Sequence, residues 1–442
     1  MFTRKAVFLS AIILALYSLI PQNLHAAQTG FLLIRIIEPG ATQHPSRLFL
    51  ADIANGSLSE LLVEDRSIAS PWFGWSPDGQ TLAYLAPARR GLNYELWLGN
   101  ANGTNLRTPF LTEGQQTPVA AAWNPAFSIV AVATVSQETR DGLFLVNATS
   151  DNVVFLTEEQ FSQAPLLDWS RDAYKLAYST ADNALKIINT ADRFIYTAQN
   201  PDSSIPTLPP YFVTGWTAND SQYLWTDDRY QTLQPIQAEV DPFEVRMFSD
   251  GNRLLYFDGL TFYQINPNTG RTVTQDNIPA GWFVEDYGIA EDRTVFLNVL
   301  QSDASGNSVM QCYRWDGADW LSVKQEIGGT WTHTRCVVLA GGTYIALTGT
   351  LAPESWERIP EALLFSLYLV PTDLSRLVKI TDLYAGFEVA PIGFSPRREQ
   401  AVFQEGQEIV VYNLQGERVR LATLQDLDIT SPWIQYTFRW QP

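Results

Sequence analysis

The residues in this chain best placed to do chemistry are carboxylates. Asp168, Glu244, Glu285, Asp286 and Glu388, with Arg246 and Arg335 among them, each fall just before a recurring turn signal, on short strand-like segments. Side chains alternate along a strand, so about half of such residues face one way. Converging carboxylates could hold a calcium ion or act as an acid/base pair on a sugar. The plainer expectation is a hydrated channel of mixed charge with nothing bound. Asp227-Asp228 reads more simply as a hairpin turn. The rest of the catalytic inventory is thin. Beyond the N-terminal segment only His44 and His333 remain, neither close in sequence to another metal-ligand type. Gly-x-Ser-x-Gly, His-Glu-x-x-His, phosphate-loop and Gly-x-Gly-x-x-Gly patterns are missing, as is Cys-x-x-Cys. Serine hydrolysis, zinc hydrolysis and nucleotide chemistry therefore lack their usual parts. The expectation is a non-enzymatic chain without a catalytic residue, resident metal or cofactor, calcium being the one ion its carboxylates would suit.

Cys312 and Cys336 are the only cysteines. The spacing puts Cys312 on the third strand of one repeat and Cys336 on the first strand of the next. In an oxidising compartment they can form a disulfide, or remain two separate buried thiols.

The elements that position these residues come from one recurring phrase. Its clearest copy is Trp75-Ser76-Pro77-Asp78-Gly79-Gln80-Thr81-Leu82-Ala83-Tyr84, and weaker copies begin at Trp123, Trp169, Trp216, Met247, Gly288, Val338 and Phe394. Pro and Asp-Gly supply a tight reversal, and a Trp can fill the space between neighbouring sheets. After Trp75 come alternating segments over 81–85, 94–99 and 106–111, with an Asn102-Gly103 turn between the last two, the signature of hairpins. Four short strands with their turns need about 40–45 residues, the length of a propeller blade. The 31 residues between Trp216 and Met247 are too few for that. Counting every copy gives nine blades and merging the doubtful pair gives eight, so the expected count is eight, within seven to nine. The segment 362–369 is apolar enough for helix or strand, with Phe365, Tyr368 and Val370 favouring a strand. The last copy is only an opening, Trp440-Gln441-Pro442, and its complement lies in Gly30-Phe31-Leu32-Leu33-Ile34-Arg35-Ile36. The fold class expected is therefore all-β, a single closed propeller over 27–442, the C-terminal strand pairing with the N-terminal strands.

The phrase at 75–84 resembles the repeat of TolB-type, WD40-like propellers and, more loosely, the propeller of the prolyl oligopeptidase family. Trp169-Ser170-Arg171-Asp172 and Phe394-Ser395-Pro396-Arg397 keep parts of it. The resemblance implies the fold. It does not extend to the additional N-terminal domain of TolB or to the hydrolase domain of the oligopeptidases, so neither envelope transport nor peptide hydrolysis is implied.

Residues 1–26 read as a secretory signal: Arg4 and Lys5, an apolar run over 6–20, then small residues near Ala26-Ala27. The run is shorter than the roughly 20 residues a spanning helix needs, so no membrane span is expected after its removal. Loss of Arg4 and Lys5 leaves 27 basic against 47 acidic residues, a net charge of −20. Such a surface repels phosphate backbones, which argues against nucleic acid. The expected location is extracytoplasmic, secreted or periplasmic. Turns of the phrase are short, whereas the opposite face collects long connections over 86–93, 136–141, 200–210, 301–308 and 350–361. These carry Arg89, Arg90, Trp356 and Arg358, residue types suited to binding hot spots, on a rigid scaffold where binding usually resides. With Asp168, Glu244 and Glu285 they form the candidate ligand-binding set. The expected function is capture of a protein or peptide through this face; the alternative is a carbohydrate-active or carbohydrate-binding propeller using the channel carboxylates. Four Asn-x-Ser/Thr sites, at Asn55, Asn102, Asn147 and Asn219, coincide with expected turns.

Overall fold

A computed structural model of the chain describes residues 30–38, 46–64, 72–87, 94–110, 116–136, 141–162, 165–182, 184–199, 213–217, 220, 222–226, 232–234, 238–239, 245–247, 252–302, 306, 308–339, 342–352, 363–384, 393–395, 399–429 and 434–442. The signal-like segment 1–26 and His44 lie outside them.

The described residues form nine four-stranded antiparallel sheets, numbered here I to IX. Sheet I takes Gln435–Trp440 as its first strand, followed by Phe31–Ile37, Ser46–Asp52 and Ser57–Glu64. Sheet II is Phe73–Trp75, Thr81–Pro87, Tyr94–Asn100 and Arg107–Phe110; sheet III is Gln116–Trp123, Ile129–Ser136, Gly142–Asn147 and Val153–Glu158. Sheet IV is Leu167–Trp169, Lys175–Ser179, Leu185–Asn189 and Ile195–Gln199; sheet V is Val213–Trp216, Tyr223–Thr226, Thr232–Gln234 and Ala238–Glu239. Sheet VI is Val245–Met247, Leu254–Phe257, Thr261–Ile265 and Thr272–Asn277; sheet VII is Phe283–Ile289, Val295–Ser302, Ser308–Trp315 and Trp320–Ser322. Sheet VIII is Thr330–Val338, Tyr344–Ala352, Leu363–Pro371 and Val378–Tyr384; sheet IX is Gly393–Ser395, Gln400–Glu405, Glu408–Asn413 and Arg418–Thr423. Of the ambiguous segment at 362–369, the described part from Leu363 on is thus a strand. The count corrects the merged eight. Trp216 and Met247 end the first strands of two separate sheets, and V fits its short interval by trimming its outer strands to three and two residues.

Second strands show why the sheets must stack. Each is buried on both faces, and alternate side chains enter different seams. Leu82 and Tyr84 join Leu33, Leu50 and Phe73 between I and II, while Ala83 and Leu85 join Val130 and Val132 between II and III. Ala131 and Ala133 point the other way, towards Leu176 and Tyr178 of sheet IV. In sheet I, Leu33 faces II while Leu32, Ile34 and Ile36 face Val402, Ile409 and Val411 of sheet IX. Equivalent apolar seams join IV to V, VI to VII, VII to VIII and VIII to IX. The first strands of V and VI are adjacent. A strand covered on both faces reads as a continuous apolar run instead of an alternation, which accounts for Phe31-Leu32-Leu33-Ile34 and Ile129-Val130-Ala131-Val132.

Polar bonds fix the spacing across these seams. The Trp75 indole Nε1 donates to the Arg439 carbonyl at 2.9 Å, Trp169 to Ala122 at 3.2 Å and Trp216 to Asp168 at 3.3 Å. In every case the acceptor directly precedes the phrase tryptophan of the preceding sheet. The Trp123 and Trp440 indole nitrogens are buried without a partner, so the ladder is interrupted there. Gly74 makes room for a neighbour: a Cβ on it would sit 3.3 Å from the Trp123 ring.

The phrase turn explains its own residues. Ser76 Oγ donates to Asp78 Oδ1 at 2.5 Å and accepts the Thr81 amide at 2.9 Å, and Gly79 takes φ +68°. Ser170 and Asp172 repeat the device, and Thr217 Oγ1 accepts the Gln222 amide. Turns are also tied to one another: Ser128 Oγ to Asp78, Asn124 Nδ2 to the Ala173 carbonyl, and the Arg171 and Asp172 amides to the Asp220 carboxylate.

Chain ends meet in sheet I, where Leu32 pairs with Trp440 and Ile37 with Gln435. Gln441 locks this join. Its amide donates to the Phe31 carbonyl, its Oε1 accepts the Phe31 amide, and its Nε2 donates to the Gly79 carbonyl at 2.7 Å. A disulfide links Cys312 of sheet VII to Cys336 of sheet VIII, with Cα atoms 5.8 Å apart. A five-residue helix, Val323–Ile327, fills the passage between those sheets.

Trp75 is 7 % exposed, so Trp75→Ala should lower unfolding free energy by about 3–5 kcal/mol in urea titration. A loss under about 1 kcal/mol would mean that its seam contributes little. Cys336→Ala releases a loop spanning 24 residues and should cost about 2–4 kcal/mol by the same measurement.

Candidate binding surfaces

Strand direction sorts the connections. First-to-second and third-to-fourth turns close one face of each sheet, while second-to-third connections and sheet-to-sheet crossings open on the other. The turn face is tight: 76–80, 124–128, 170–174 and 290–294 are five-residue reversals. On the opposite face the flanking strand ends are separated by 88–93, 353–362 and 385–392. Arg89, Arg90, Trp356, Arg358, Glu244 and Glu388 all lie outside the described residues.

Asp168 and Glu285 are described, and they occupy different settings. Glu285 is exposed on the first strand of sheet VII. Asp168 is half-buried at the seam of IV and V, on the strand whose carbonyl receives the Trp216 indole. Burial raises its carboxyl above the ordinary carboxylate range, and the neighbouring Tyr223 hydroxyl and Arg171 pull it back only in part. The same burial, with the Asp168 charge beside it, raises the Tyr223 phenol. The Tyr223 hydroxyl is close enough to influence the carboxyl but does not reach ordinary hydrogen-bonding geometry. Sheets V and VI stand between Asp168 and Glu285, and no described hydrogen bond or ion pair joins them. Among the described residues no three His, Cys, Asp or Glu side chains gather as a metal site would require. Arg335 is exposed, and His333 is half-buried with its imidazole pKa lowered by burial.

Two residues missed in the sequence stand on the open face. Leu260 is 75 % exposed in the turn between the second and third strands of VI, and Phe283, 65 % exposed, begins the first strand of VII. Behind them Trp282 packs on Tyr313 with ring centroids 4.0 Å apart. The signal was available: Leu260 follows Asp258-Gly259, a turn in which an apolar residue has nothing to bury against. No described helix is long and apolar enough to cross a membrane.

No family model and no curated protein matches this chain. Among solved structures, a eukaryotic initiation factor is similar at 11 % identity and TM-score 0.51, covering 94 % of this chain and 99 % of that one. TolB from Acinetobacter baumannii aligns over 93 % of this chain and 67 % of its own at 12 % identity, TM-score 0.32. The β-propeller domain of Cps50 (Swd1) from Myceliophteria thermophila aligns over 80 % and 96 %, at 12 % identity and TM-score 0.31. This chain thus spans about two thirds of the TolB chain. At such identities the likenesses concern fold alone. The described residues are all-β, four-stranded antiparallel sheets stacked face to face in series, and the likeness to the initiation factor structure is one of fold.

A carboxyl whose pKa is raised binds its proton more tightly in the folded state than in the unfolded chain, so stability declines as pH rises from 3.8 through the folded-state value. Asp168→Asn removes that decline. It should melt higher than the parent at pH 7, with the difference shrinking towards acid. Parallel melting curves across that range would show the carboxyl to be solvated.

Proposed function

We propose that the chain is a single closed nine-bladed propeller, exported from the cytoplasm, that captures a protein or peptide through its open face. The observation that carries this reading is the asymmetry of the connections. One face is closed by short, mutually bonded turns; the other bears the long connections and exposes Leu260 and Phe283. Rigid strands presenting variable connections suit recognition, and exposed apolar groups among them supply the buried contact that binding needs. The seam between IX and I and the pairing of Gln435–Trp440 with Phe31–Ile37 support closure. The disulfide supports export, since such bonds persist in oxidising compartments.

The test is affinity capture from the native envelope and culture medium with the immobilised chain. The parent should retain a partner that Trp356→Ala, Arg358→Ala and the double variant Leu260→Ser/Phe283→Ser each lose by about tenfold in affinity, or about 1.4 kcal/mol. Equal retention by all of them would move the binding surface elsewhere.

A further inference from the structure

Among the described residues twelve large apolar side chains are well exposed, and seven of them stand on two neighbouring sheets, III and IV. The densest part is the outer strand of sheet III, Val153–Glu158. Val153, Val154 and Phe155 are 39 %, 43 % and 41 % exposed; on the neighbouring sheet IV, Phe194, just before the outer strand, and Tyr196, on it, are 65 % and 40 % exposed. Successive side chains on a strand point to opposite faces, so this edge is apolar above and below. Within its sheet the strand is bonded on one side only, to Gly142–Asn147.

The outer strands of I and IV also lack proline and basic residues, but that of I carries Glu60 and Glu64 and that of IV exposes one large aromatic, Tyr196; the remaining outer strands carry features that discourage strand addition. Sheet II has Pro109, and sheet VIII has Lys379 and two register shifts. Sheet IX places Arg418 and Arg420 in ion pairs with Glu408. The outer strand of VI is polar, and those of V and VII are two and three residues long. Val153–Glu158 has no proline, lysine or arginine, and its one register shift falls at Leu156, beyond the regularly paired Val153-Val154-Phe155. An apolar, one-sided edge of this kind is a template for an added strand.

We propose that the outer edge of sheet III takes an extended segment of a partner protein as a fifth strand, with bulky apolar side chains at alternate positions and lysine or arginine at its ends. Charge selects this occupant. Asp151, before the strand, is already paired with Arg107, so the selecting field is that of the chain as a whole, of net charge −18, with Glu158 at the far end of the strand. A basic segment is drawn to that field, whereas two copies meeting edge to edge would bring together two strongly negative molecules. The site lies apart from the open face and does not depend on it.

The probe is a fluorescein-labelled peptide, Lys-Lys-Thr-Val-Thr-Phe-Thr-Val-Lys-Lys, titrated with the full chain and followed by anisotropy. Saturable binding is expected, weakened about tenfold or more by Val154→Lys and by Phe155→Lys. It should weaken similarly when the peptide lysines are replaced by glutamate, and stay unchanged in Leu260→Ser/Phe283→Ser. Near-ultraviolet circular dichroism checks that the exposed-site variants remain folded. Absence of saturable binding, or binding indifferent to both edge variants, overturns the proposal. So does a concentration-dependent dimer in sedimentation that Val154→Lys abolishes, which would assign the edge to a second copy. Loss of binding only in Leu260→Ser/Phe283→Ser would return the peptide to the open face.

Discussion

A sheet with apolar side chains on both faces cannot stand alone in water, and every other feature of this protein follows from that constraint. Leu82 and Ala83 are neighbours in sequence, yet one is buried against sheet I and the other against sheet III. A two-residue period therefore serves two interfaces at once. Removing one sheet would expose a face on each of its neighbours, so the sheets stabilise one another instead of folding as independent units. The apolar contribution is non-directional, which leaves distance and rotation between sheets to be set by something else.

That something is a small set of polar bonds at the first strands and their turns. Indole N–H groups reach one sheet back, to the carbonyl before the preceding tryptophan. Side chains in or next to the turns reach across to the adjoining turn, as Asn124 does to Ala173 and Tyr344, the first residue of its strand, does to Glu399. Such bonds are directional and modest singly, about 0.5–1.5 kcal/mol each, but they specify one register between faces that would otherwise slide. Gln441 shows the economy of the scheme. It occupies the place that Ser76 and Asn124 hold in their own sheets, and from there it joins the last strand, the first strand and the next turn.

The same construction separates two kinds of surface. The polar groups of the turn face bond to one another, while on the open face the flanking strand ends are separated by longer stretches of chain. Asp168 illustrates the consequence for chemistry. A carboxylate just before the phrase tryptophan can face a seam as readily as open space, and in sheet IV it sits against Tyr223. Glu285, nearer the start of its own first strand, is exposed. The outer rim is a third surface: among the described fourth strands, that of sheet III alone exposes three large apolar side chains in a row, Val153-Val154-Phe155.

The repeat was legible because its causes are local. Pro-Asp-Gly turns, Ser hydroxyls that bind the amide five residues on, and runs such as Leu32-Leu33-Ile34 act within a few residues and leave marks in the linear order. Sheet V was misjudged because shortened strands carry too little pattern to register. Which face of a strand meets which neighbour could not be read from Asp168 or Glu285, since both seams of a doubly buried sheet present the same alternation. By itself, then, the amino-acid order determined a strand repeat, its turns and the complementarity of the two ends. Only tertiary packing decided that the described residues form nine sheets, that the indoles point backward, that Cys312 and Cys336 meet, and that Val153-Val154-Phe155 face solvent on the rim of sheet III. Those outcomes depend on residues tens to hundreds of positions apart meeting in space, and contact at that range leaves no local period to read.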